Sequence, residues 1–189
     1  LAVAPPPTPW KLIGTSPLSL GREPRVAEFF AVGRSAGVAV GLEGGIFKLR
    51  TNGLPEGVML TPHRYRRAIP DRWLGALPVL ARPEARSMLV VGLGAGTALE
   101  AVPRGFPDLD VIELEPRVVE ANERYRTRRA IDPLGLPGLR LHVNDARGAL
   151  ALTTKRYDIV ISQPSHPWTA GASHLYTREF FETVRDHLT

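Results

Sequence analysis

The stretch that decides the fold of this chain is MLVVGLGAGTALE, residues 88–100. Its first four residues are apolar, as in a parallel strand that is covered on both faces. Gly92, Gly94 and Gly96 follow, and because glycine has no Cβ atom, a ligand can approach the backbone of this turn closely. A helix that begins there would direct backbone N–H groups at the ligand. We therefore predict a buried strand, a ligand-binding turn and a helix.

The spacing of the glycines bears on the choice of ligand. A dinucleotide-binding turn has the pattern G-x-G-x-x-G, which requires glycine where this chain has Thr97. A phosphate-binding P-loop requires Gly-Lys-Ser or Gly-Lys-Thr after the turn, and this chain has neither. On these residues alone, a tight strand-to-helix turn that binds no ligand is also a possible interpretation.

The composition is that of a folded protein of modest size. With 189 residues, 43% of them hydrophobic and 23% charged, the chain can form one substantial core and a small appendage. It has no apolar run of the ~18 residues that a membrane-spanning helix needs. The lack of cysteine excludes disulfides, thiolate catalysis and cysteine zinc sites. The net charge of +5 comes mostly from arginine, with clusters at residues 63–67 and 124–129. Such clusters could contact nucleic acid or an anionic membrane surface, but we favour a solvated surface, because no nucleic-acid fold signature accompanies them.

The pattern of residues divides the chain into four parts. Residues 1–24 are rich in proline and predict a linker. Residues 25–60 hold three short β-rich segments and predict a small antiparallel β domain that ends near Asn52-Gly53-Leu54-Pro55. Residues 61–87 form a connecting region, and residues 88–189 form the main domain.

The connecting region carries an amphipathic helical pattern that ends near Arg82-Pro83. Its apolar positions are Trp73, Leu74, Leu77 and Leu80.

Strand and helix patterns alternate four times in the main domain. The predicted strands are Met88–Val91, Leu109–Leu114, Leu139–Val143 and Tyr157–Ser162. The predicted helices are Thr97–Arg104, Pro116–Arg128, about Arg147–Leu152, and one that begins near Thr177. This alternation predicts an α/β fold with a doubly wound parallel sheet of the Rossmann type. Such sheets usually have further strands, so we expect this one to be truncated after its fourth unit.

Two acidic positions follow strands whose carboxyl ends should border a ligand. Glu113 comes about 20 residues after the glycine turn, where a carboxylate can accept hydrogen bonds from a ribose diol. A surface acid is the alternative. Asp145, followed by Ala146, could accept a hydrogen bond from the amino group of adenine. It could equally cap the next helix, and the two roles are compatible.

The loop after the fourth strand is SQPSHPW, residues 162–168. Reaction chemistry is expected here, because the loop faces the reactive end of a ligand that lies across the first three strands. Besides Ser162 and Ser165, its functional side chains are Gln163 and His166. His166 could act as a base near neutral pH, although a histidine in such a loop more often has no catalytic role.

Several motifs recur together in an order and spacing that match one family. They are VVGLGAGT at 90–97, VIELEP at 111–116, HVNDAR at 142–147, YDIVISQP at 157–164, LYTREFF at 175–181 and LRTNGL at 49–54. Together they resemble the spermidine/spermine synthases, the polyamine aminopropyltransferases. The resemblance covers most of residues 25–188 and looks closest to members whose synthase-like domain is joined to membrane segments. Those members have a loop similar to SQPSHPW.

The resemblance implies a methyltransferase-like Rossmann fold and a role in polyamine biosynthesis. It implies that S-adenosylmethionine or decarboxylated S-adenosylmethionine is the donor, with no metal. By the same resemblance, Gly92, Gly94 and Gly96 lie along the methionine-derived part and the ribose. Glu113 holds the ribose, and Asp145 with Ala146 binds the adenine.

The same resemblance implies a cytoplasmic domain and leaves a position at the cytoplasmic face of a membrane open. The proline-rich residues 1–24 would then be the linker from a membrane part. We expect a small-molecule nucleoside donor as the binding partner and no nucleic acid. A homodimer stays open.

The departures from the family concern the acceptor. Family members have aspartates where this chain has Gln163 and His166. Glutamine cannot accept a proton at any accessible pH, so base catalysis at Gln163 is lost. We also expect the basic segment Thr61–Arg67 to lie near the acceptor pocket, which argues against a polycation such as putrescine.

Three functions stay open in order of preference. The first is a spermidine-synthase-like aminopropyl or methyl transferase with an unidentified acceptor. The second is a non-catalytic nucleoside-binding or regulatory module. An NAD-dependent oxidoreductase is a distant third, because Thr97 breaks the dinucleotide pattern.

Overall fold

The computed structural model describes residues 27–67, 69–168 and 171–189. These residues form two four-stranded sheets and the helices that pack on them. The predicted linker at residues 1–24 lies outside the described residues. No helix in the described ranges is both long and apolar enough to cross a membrane.

The first sheet is an antiparallel meander with the strand order β1-β2-β3-β4. Its strands are β1 (Ala27–Val32), β2 (Gly37–Glu43), β3 (Ile46–Thr51) and β4 (Leu54–Leu60). The expectation that this unit ends near Asn52-Gly53-Leu54-Pro55 is wrong. Asn52 and Gly53 have φ angles of 49° and 79°, the positive values that a two-residue hairpin turn needs, and they lead into β4. Pro55 and Gly57 hide that strand in the sequence, and proline is tolerated there because β4 is at the edge.

The second sheet is parallel and confirms the predicted α/β fold. Its strands are β5 (Ser87–Val91), β6 (Asp108–Glu113), β7 (Leu139–Val143) and β8 (Ile159–Ser162). The strand order is β7-β6-β5-β8, so the chain runs outward from β5 to β7 and then crosses to the other side of β5. This reversal places a topological switch point between β5 and β8, where ligands bind in open α/β sheets.

Four α-helices are present in the described ranges. They are α1 (Arg72–Ala81), α2 (Pro116–Tyr125), α3 (Ala146–Leu152) and α4 (Arg178–Asp186). The helix predicted for Thr97–Arg104 is wrong, because only one 3-10 turn, Leu99–Ala101, forms there. Two causes are apparent. Pro103 destabilises a helix that runs through it, because proline has no N–H to donate to the preceding turn. In addition, α1 packs directly on this segment, since a Cβ on Gly75 would lie 2.0 Å from the Ala98 carbonyl oxygen.

The helix α1 forms where the sequence predicts it, but its apolar positions face outward. Trp73, Leu77 and Leu80 are exposed, and Gly75 is the helix's only buried residue. The close approach of Gly75 to Ala98 therefore determines which side of α1 faces the segment after the glycine turn.

One hydrophobic cluster joins the two sheets. It contains Val38, Val40, Phe47 and Leu49 from the first sheet and Met88, Val90, Leu109 and Val111 from the second. The rings of Phe47 and Tyr125 are 4.6 Å apart at the contact with α2. A second cluster, which includes Leu89, Val91, Leu150 and Phe180, covers the other face of the parallel sheet. The division at residue 60 stays a prediction, since the core is continuous across it.

Asp110 is the centre of an ionic cluster at the β7 side of the parallel sheet. Its carboxylate accepts hydrogen bonds from Tyr157 Oη at 2.9 Å, Lys155 Nζ at 2.7 Å and Arg140 Nε at 2.8 Å, and it contacts His142 Nε2 at 3.1 Å. Burial alone would raise the pKa of this carboxyl. Its hydrogen-bonding partners outweigh burial and hold the pKa well below the ordinary value.

We expect Asp110→Asn to lower the free energy of unfolding by about 1–3 kcal/mol at pH 7, because it weakens the hydrogen bond of the buried Tyr157 hydroxyl and removes the charge that pairs with Lys155 and Arg140. An aspartate whose pKa is depressed by folding stabilises the folded state above the pKa of the unfolded residue, about 4. The difference between wild type and Asp110→Asn should therefore shrink as the pH falls below about 4. Urea unfolding at several pH values measures it.

Asp186→Asn is the matched control, since the Asp186 side chain is 68% exposed and contacts only the neighbouring Arg185. It should change stability little at any pH. Equal stability of Asp110→Asn and Asp186→Asn at pH 7 would contradict the role given to the Asp110 cluster.

Candidate functional site

A cavity of about 530 Å³ lies at the carboxyl ends of the parallel strands. The glycine turn after β5 and the loops after β6, β7 and β8 form its floor, and the β3–β4 hairpin of the first sheet lies over it. The cavity thus occupies the switch point of the sheet, where the topology predicts a ligand.

The three glycines of the turn have different environments, although all have positive φ angles of 90°, 51° and 73°. Gly92 and Gly94 line the cavity. A Cβ on Gly92 would lie 2.9 Å from the Gln163 carbonyl oxygen, so this glycine lets the β8 loop approach the turn. Gly96 is not among the cavity-lining residues, and a Cβ there would lie 2.7 Å from Pro133. Gly96 therefore serves packing behind the turn.

Thr97, the residue that breaks the dinucleotide pattern, ties the turn to the first sheet. Its hydroxyl donates a hydrogen bond to the Val58 carbonyl of β4 at 2.9 Å. A Cβ on Gly57 would lie 2.8 Å from the Cβ of Ala95, so β4 packs closely on the turn. The end of the glycine motif therefore packs against and hydrogen-bonds to β4 of the first sheet.

The Glu113 carboxylate binds the backbone of the glycine turn. Oε2 accepts hydrogen bonds from the amides of Leu93 at 2.8 Å and Gly94 at 3.4 Å, and Oε1 accepts one from the Glu115 amide at 2.9 Å. Glu113 is only 8% exposed, and burial raises the pKa of its carboxyl above the ordinary value in spite of these bonds. Amides that the sequence analysis assigned to a ligand are therefore bound by the protein's own carboxylate.

The carbonyl groups of the turn are held from the opposite side. Asn122 Nδ2 donates to the Gly94 carbonyl and Arg129 Nη2 donates to the Ala95 carbonyl, both at 2.8 Å. Arg129 also pairs with Glu100 at 2.6 Å, and both side chains are almost completely buried. The interpretation of residues 124–129 as solvated surface is wrong for Arg129. Burial lowers the pKa of its guanidinium, and Glu100 opposes this effect.

Asp145 caps α3. Its Oδ1 accepts hydrogen bonds from the amides of Arg147 at 2.7 Å and Gly148 at 3.1 Å. Its other oxygen accepts no hydrogen bond from the residues that the structure describes, and Asp145 and Ala146 both line the cavity. The capping role is therefore present, and a role in adenine binding stays a prediction.

The β8 loop closes one side of the cavity. Gln163, Ser165 and His166 line it. The Tyr176 hydroxyl lies 2.8 Å from the Ser165 carbonyl oxygen, to which it donates a hydrogen bond that positions the loop. The ring of His166 stacks on Trp168 with centroids 5.0 Å apart and planes within 6°. The catalytic roles considered for Gln163 and His166 stay predictions.

The carboxylates around the cavity have no cationic partners. Five acidic residues line it: Glu56, Asp71, Glu113, Glu115 and Asp145. None of them forms an ion pair with another described residue, whereas one arginine, Arg147, lines the same cavity. Their hydrogen bonds, where present, come from backbone amides and hydroxyl groups, which stabilise the carboxylates but carry no positive charge.

The basic segment Thr61–Arg67 contributes no residue to the cavity lining. The expectation that it borders the acceptor pocket is therefore wrong, and the argument against a cationic acceptor loses its basis. Glu56 was missed for a related reason, because it lies on β4, which the sequence analysis did not predict. The Asn52-Gly53 turn was the available signal for that strand.

Comparison with known proteins connects this site to one family. The family model described as Spermine/spermidine synthase domain matches residues 68–189. The polyamine aminopropyltransferases of Yersinia pestis (strain Pestoides F) and Yersinia pseudotuberculosis serotype O:1b (strain IP 31758) are 28% identical to this chain over 129 residues. That match covers 67% of this chain and 43% of each relative, so the match spans less than half the length of these relatives.

Two solved structures have the same fold. A spermidine synthase in complex with the transition state analogue AdoDATO matches with a TM-score of 0.73 and 16% identity, over 86% of this chain and 55% of that one. The spermidine synthase of Thermotoga maritima matches with a TM-score of 0.70 and 16% identity, over 86% of this chain and 54% of that one. At this identity the likeness concerns the fold.

We expect Arg129→Met to lower the free energy of unfolding by about 3–5 kcal/mol, because it leaves the buried Glu100 with one cationic partner, Arg72, and frees the Ala95 carbonyl. Arg126→Met, on the same segment, removes an arginine that is 45% exposed and pairs with Asp132. It should cost about 1 kcal/mol or less. Chemical denaturation of both variants measures the difference, and similar losses would show that the Arg129 network does not hold the turn.

Proposed function

The chain belongs to the spermine/spermidine synthase family, and on this premise we propose that its cavity binds S-adenosylmethionine or its decarboxylated form and supports group transfer to an acceptor. The observation that carries the proposal is the set of five unpaired carboxylates around the cavity of a chain whose net charge is +5. With five acidic residues against one arginine, Arg147, the lining carries an excess of negative charge, and such a cavity concentrates cationic ligands. A sulfonium nucleoside is such a ligand.

The proposal assigns a part of the donor to each edge of the cavity. Glu113 has remaining acceptor capacity for the ribose hydroxyls, since each carboxylate oxygen can accept about two hydrogen bonds. The unbonded oxygen of Asp145 accepts from the adenine amino group, and Ala146 lies against the base. Gly92 and Gly94 border the sulfonium part. The AdoDATO complex of a spermidine synthase with this fold supports an adenosyl donor.

The same geometry argues against a dinucleotide. A pyrophosphate binds where backbone amides at a helix N-terminus are free to donate. Here Glu113 accepts from the amides of Leu93 and Gly94, and only a 3-10 turn follows the glycines. A pyrophosphate would meet a carboxylate in place of free donors.

Group transfer from a sulfonium needs chiefly orientation. The positive sulfur activates the adjacent carbon, and a nucleophile held in line with the carbon–sulfur bond displaces a neutral thioether. A turn held by Glu113 on one side and by Asn122 and Arg129 on the other supplies a fixed position for the donor. The second candidate, a binding module without catalysis, is favoured by Gln163, which cannot serve as a base.

We also propose that the protein belongs to the branch of the family in which this domain is joined to membrane segments, at the cytoplasmic face. The SQPSHPW loop at residues 162–168 supports this placement.

Calorimetric titration of the purified protein tests the ligand class. We expect S-adenosylmethionine or its decarboxylated form to bind and NAD not to bind. Methylthioadenosine should bind more weakly than the donor, because it lacks the positive charge of the sulfonium. Binding of NAD alone would contradict the proposal. Donor binding with no transfer to any acceptor would favour the binding module.

The raised pKa of Glu113 predicts how donor affinity depends on pH. Because the ribose hydroxyls would donate to the Glu113 carboxylate, the dissociation constant of the donor should rise as the pH falls through the pKa of Glu113, which burial raises above the ordinary value of a glutamate. Glu113→Gln should weaken donor binding by about 1–3 kcal/mol at pH 7 and flatten this part of the pH dependence. Titrations between pH 5 and pH 8 measure both effects.

Glu120→Gln is the control for this experiment, because Glu120 is 46% exposed and pairs with Arg117 on the surface of α2. It should bind the donor with the wild-type pH dependence. If Glu113→Gln behaved in the same way, the placement of the ribose at Glu113 would be wrong.

A further inference from the structure

Glu56 lies between the glycine turn and the β8 loop. Its backbone carbonyl oxygen is 3.9 Å from the position that a Cβ on Gly94 would take, so this part of β4 stands directly over the turn. Its side chain reaches the opposite wall, where Oε2 accepts a hydrogen bond from Ser165 Oγ at 2.9 Å. An acceptor molecule that attacks a donor bound at the turn must occupy this same interval.

The Glu56 carboxylate is held without being neutralised. Its two hydrogen-bond donors are the hydroxyls of Thr51 and Ser165, and it forms no ion pair with another described residue. A hydroxyl can rotate and accept a hydrogen bond as readily as it donates one. Both groups can therefore reorient toward an incoming amine while Glu56 accepts its proton.

The other acidic groups of the cavity are less suited to this role. Glu113 and Glu115 accept hydrogen bonds from backbone amides, and Asp145 caps α3. Asp71 precedes α1, and its side chain has no hydrogen bond to the turn or to the β8 loop. Glu56 is the carboxylate that contacts the loop, two residues from Gln163.

We propose that Glu56 is the proton acceptor for a primary amine in this chain, in place of an acid at position 163. The inference rests on the proposed function. In the step, an N–H bond of the ammonium breaks and its proton passes to Glu56, which leaves the electron pair on nitrogen. That pair forms the bond to the carbon beside the sulfonium. The carbon–sulfur pair moves to sulfur, so the products are a neutral thioether and a secondary ammonium.

The test uses the purified wild-type protein and five variants: Glu56→Gln, Glu56→Asp, Glu120→Gln, Asp71→Asn, and Glu56→Gln combined with Gln163→Asp. Each is incubated with decarboxylated S-adenosylmethionine or S-adenosylmethionine and with putrescine or butylamine, between pH 6 and pH 10. Release of the thioether nucleoside measures transfer. Calorimetry measures donor affinity, and thermal unfolding verifies that each variant is folded.

We expect Glu56→Gln to bind the donor only slightly more weakly than wild type, because four of the five cavity carboxylates remain, and to lose transfer by about 100-fold or more at pH 7. The loss should shrink as the pH approaches about 10, where an alkyl amine loses its proton in solution. Glu56→Asp should keep part of the activity, and Glu120→Gln all of it. Gln163→Asp introduced into Glu56→Gln should restore transfer in part, since it returns an acid to the loop.

Several results would overturn the inference. One is transfer by Glu56→Gln at the wild-type rate with the wild-type pH profile. Another is a loss of transfer activity that is the same at every pH, which is expected if Glu56 is only a structural bridge between β4 and the β8 loop. A loss confined to Asp71→Asn would assign the role to Asp71. Donor binding without transfer to either amine in wild type would overturn it and leave the donor site standing. Absence of donor binding would overturn the proposed function as well.

Discussion

The contact on which the site depends is the one between the Glu113 carboxylate and the amides of the glycine turn. A turn with successive free amides is an anion site. When a buried carboxylate accepts those hydrogen bonds, the same turn presents negative charge to the cavity. One side chain at the end of β6 thereby changes the class of ligand that the turn suits from phosphates to cations and hydroxyl groups.

The hydrogen bonds from Glu113 do not by themselves fix the conformation of the turn, because several turn conformations would allow a carboxylate to bind two amides. Asn122 and Arg129 bind the carbonyl groups of the same turn, and the buried Glu100 holds Arg129 in place. The turn is thus fixed through donors and acceptors alike. The first sheet adds a third restraint through the contact of Thr97 with Val58.

Local pattern was sufficient to predict much of the fold. The apolar run at residues 88–91 and the alternation of strands and helices identify the parallel sheet, since each depends on neighbours in sequence. The failures involve distant partners. Arg129 lies in a run of arginines, and only its three-dimensional position distinguishes a buried pair with Glu100 from a solvated side chain. β4 was not predicted because Pro55 and Gly57 weaken its local signal. For the same reason Glu56 was not identified as a residue that lines the cavity.

The hydrophobic core that runs from Val40 of the first sheet to Val90 of the second means that the roof and the floor of the cavity are parts of one cooperative unit. The positions of the roof and the floor are therefore coupled through packed side chains. Loosening of the β-meander would therefore displace the glycine turn as well. Substitutions in the first sheet, far from any reacting atom, should consequently appear as changes in ligand affinity.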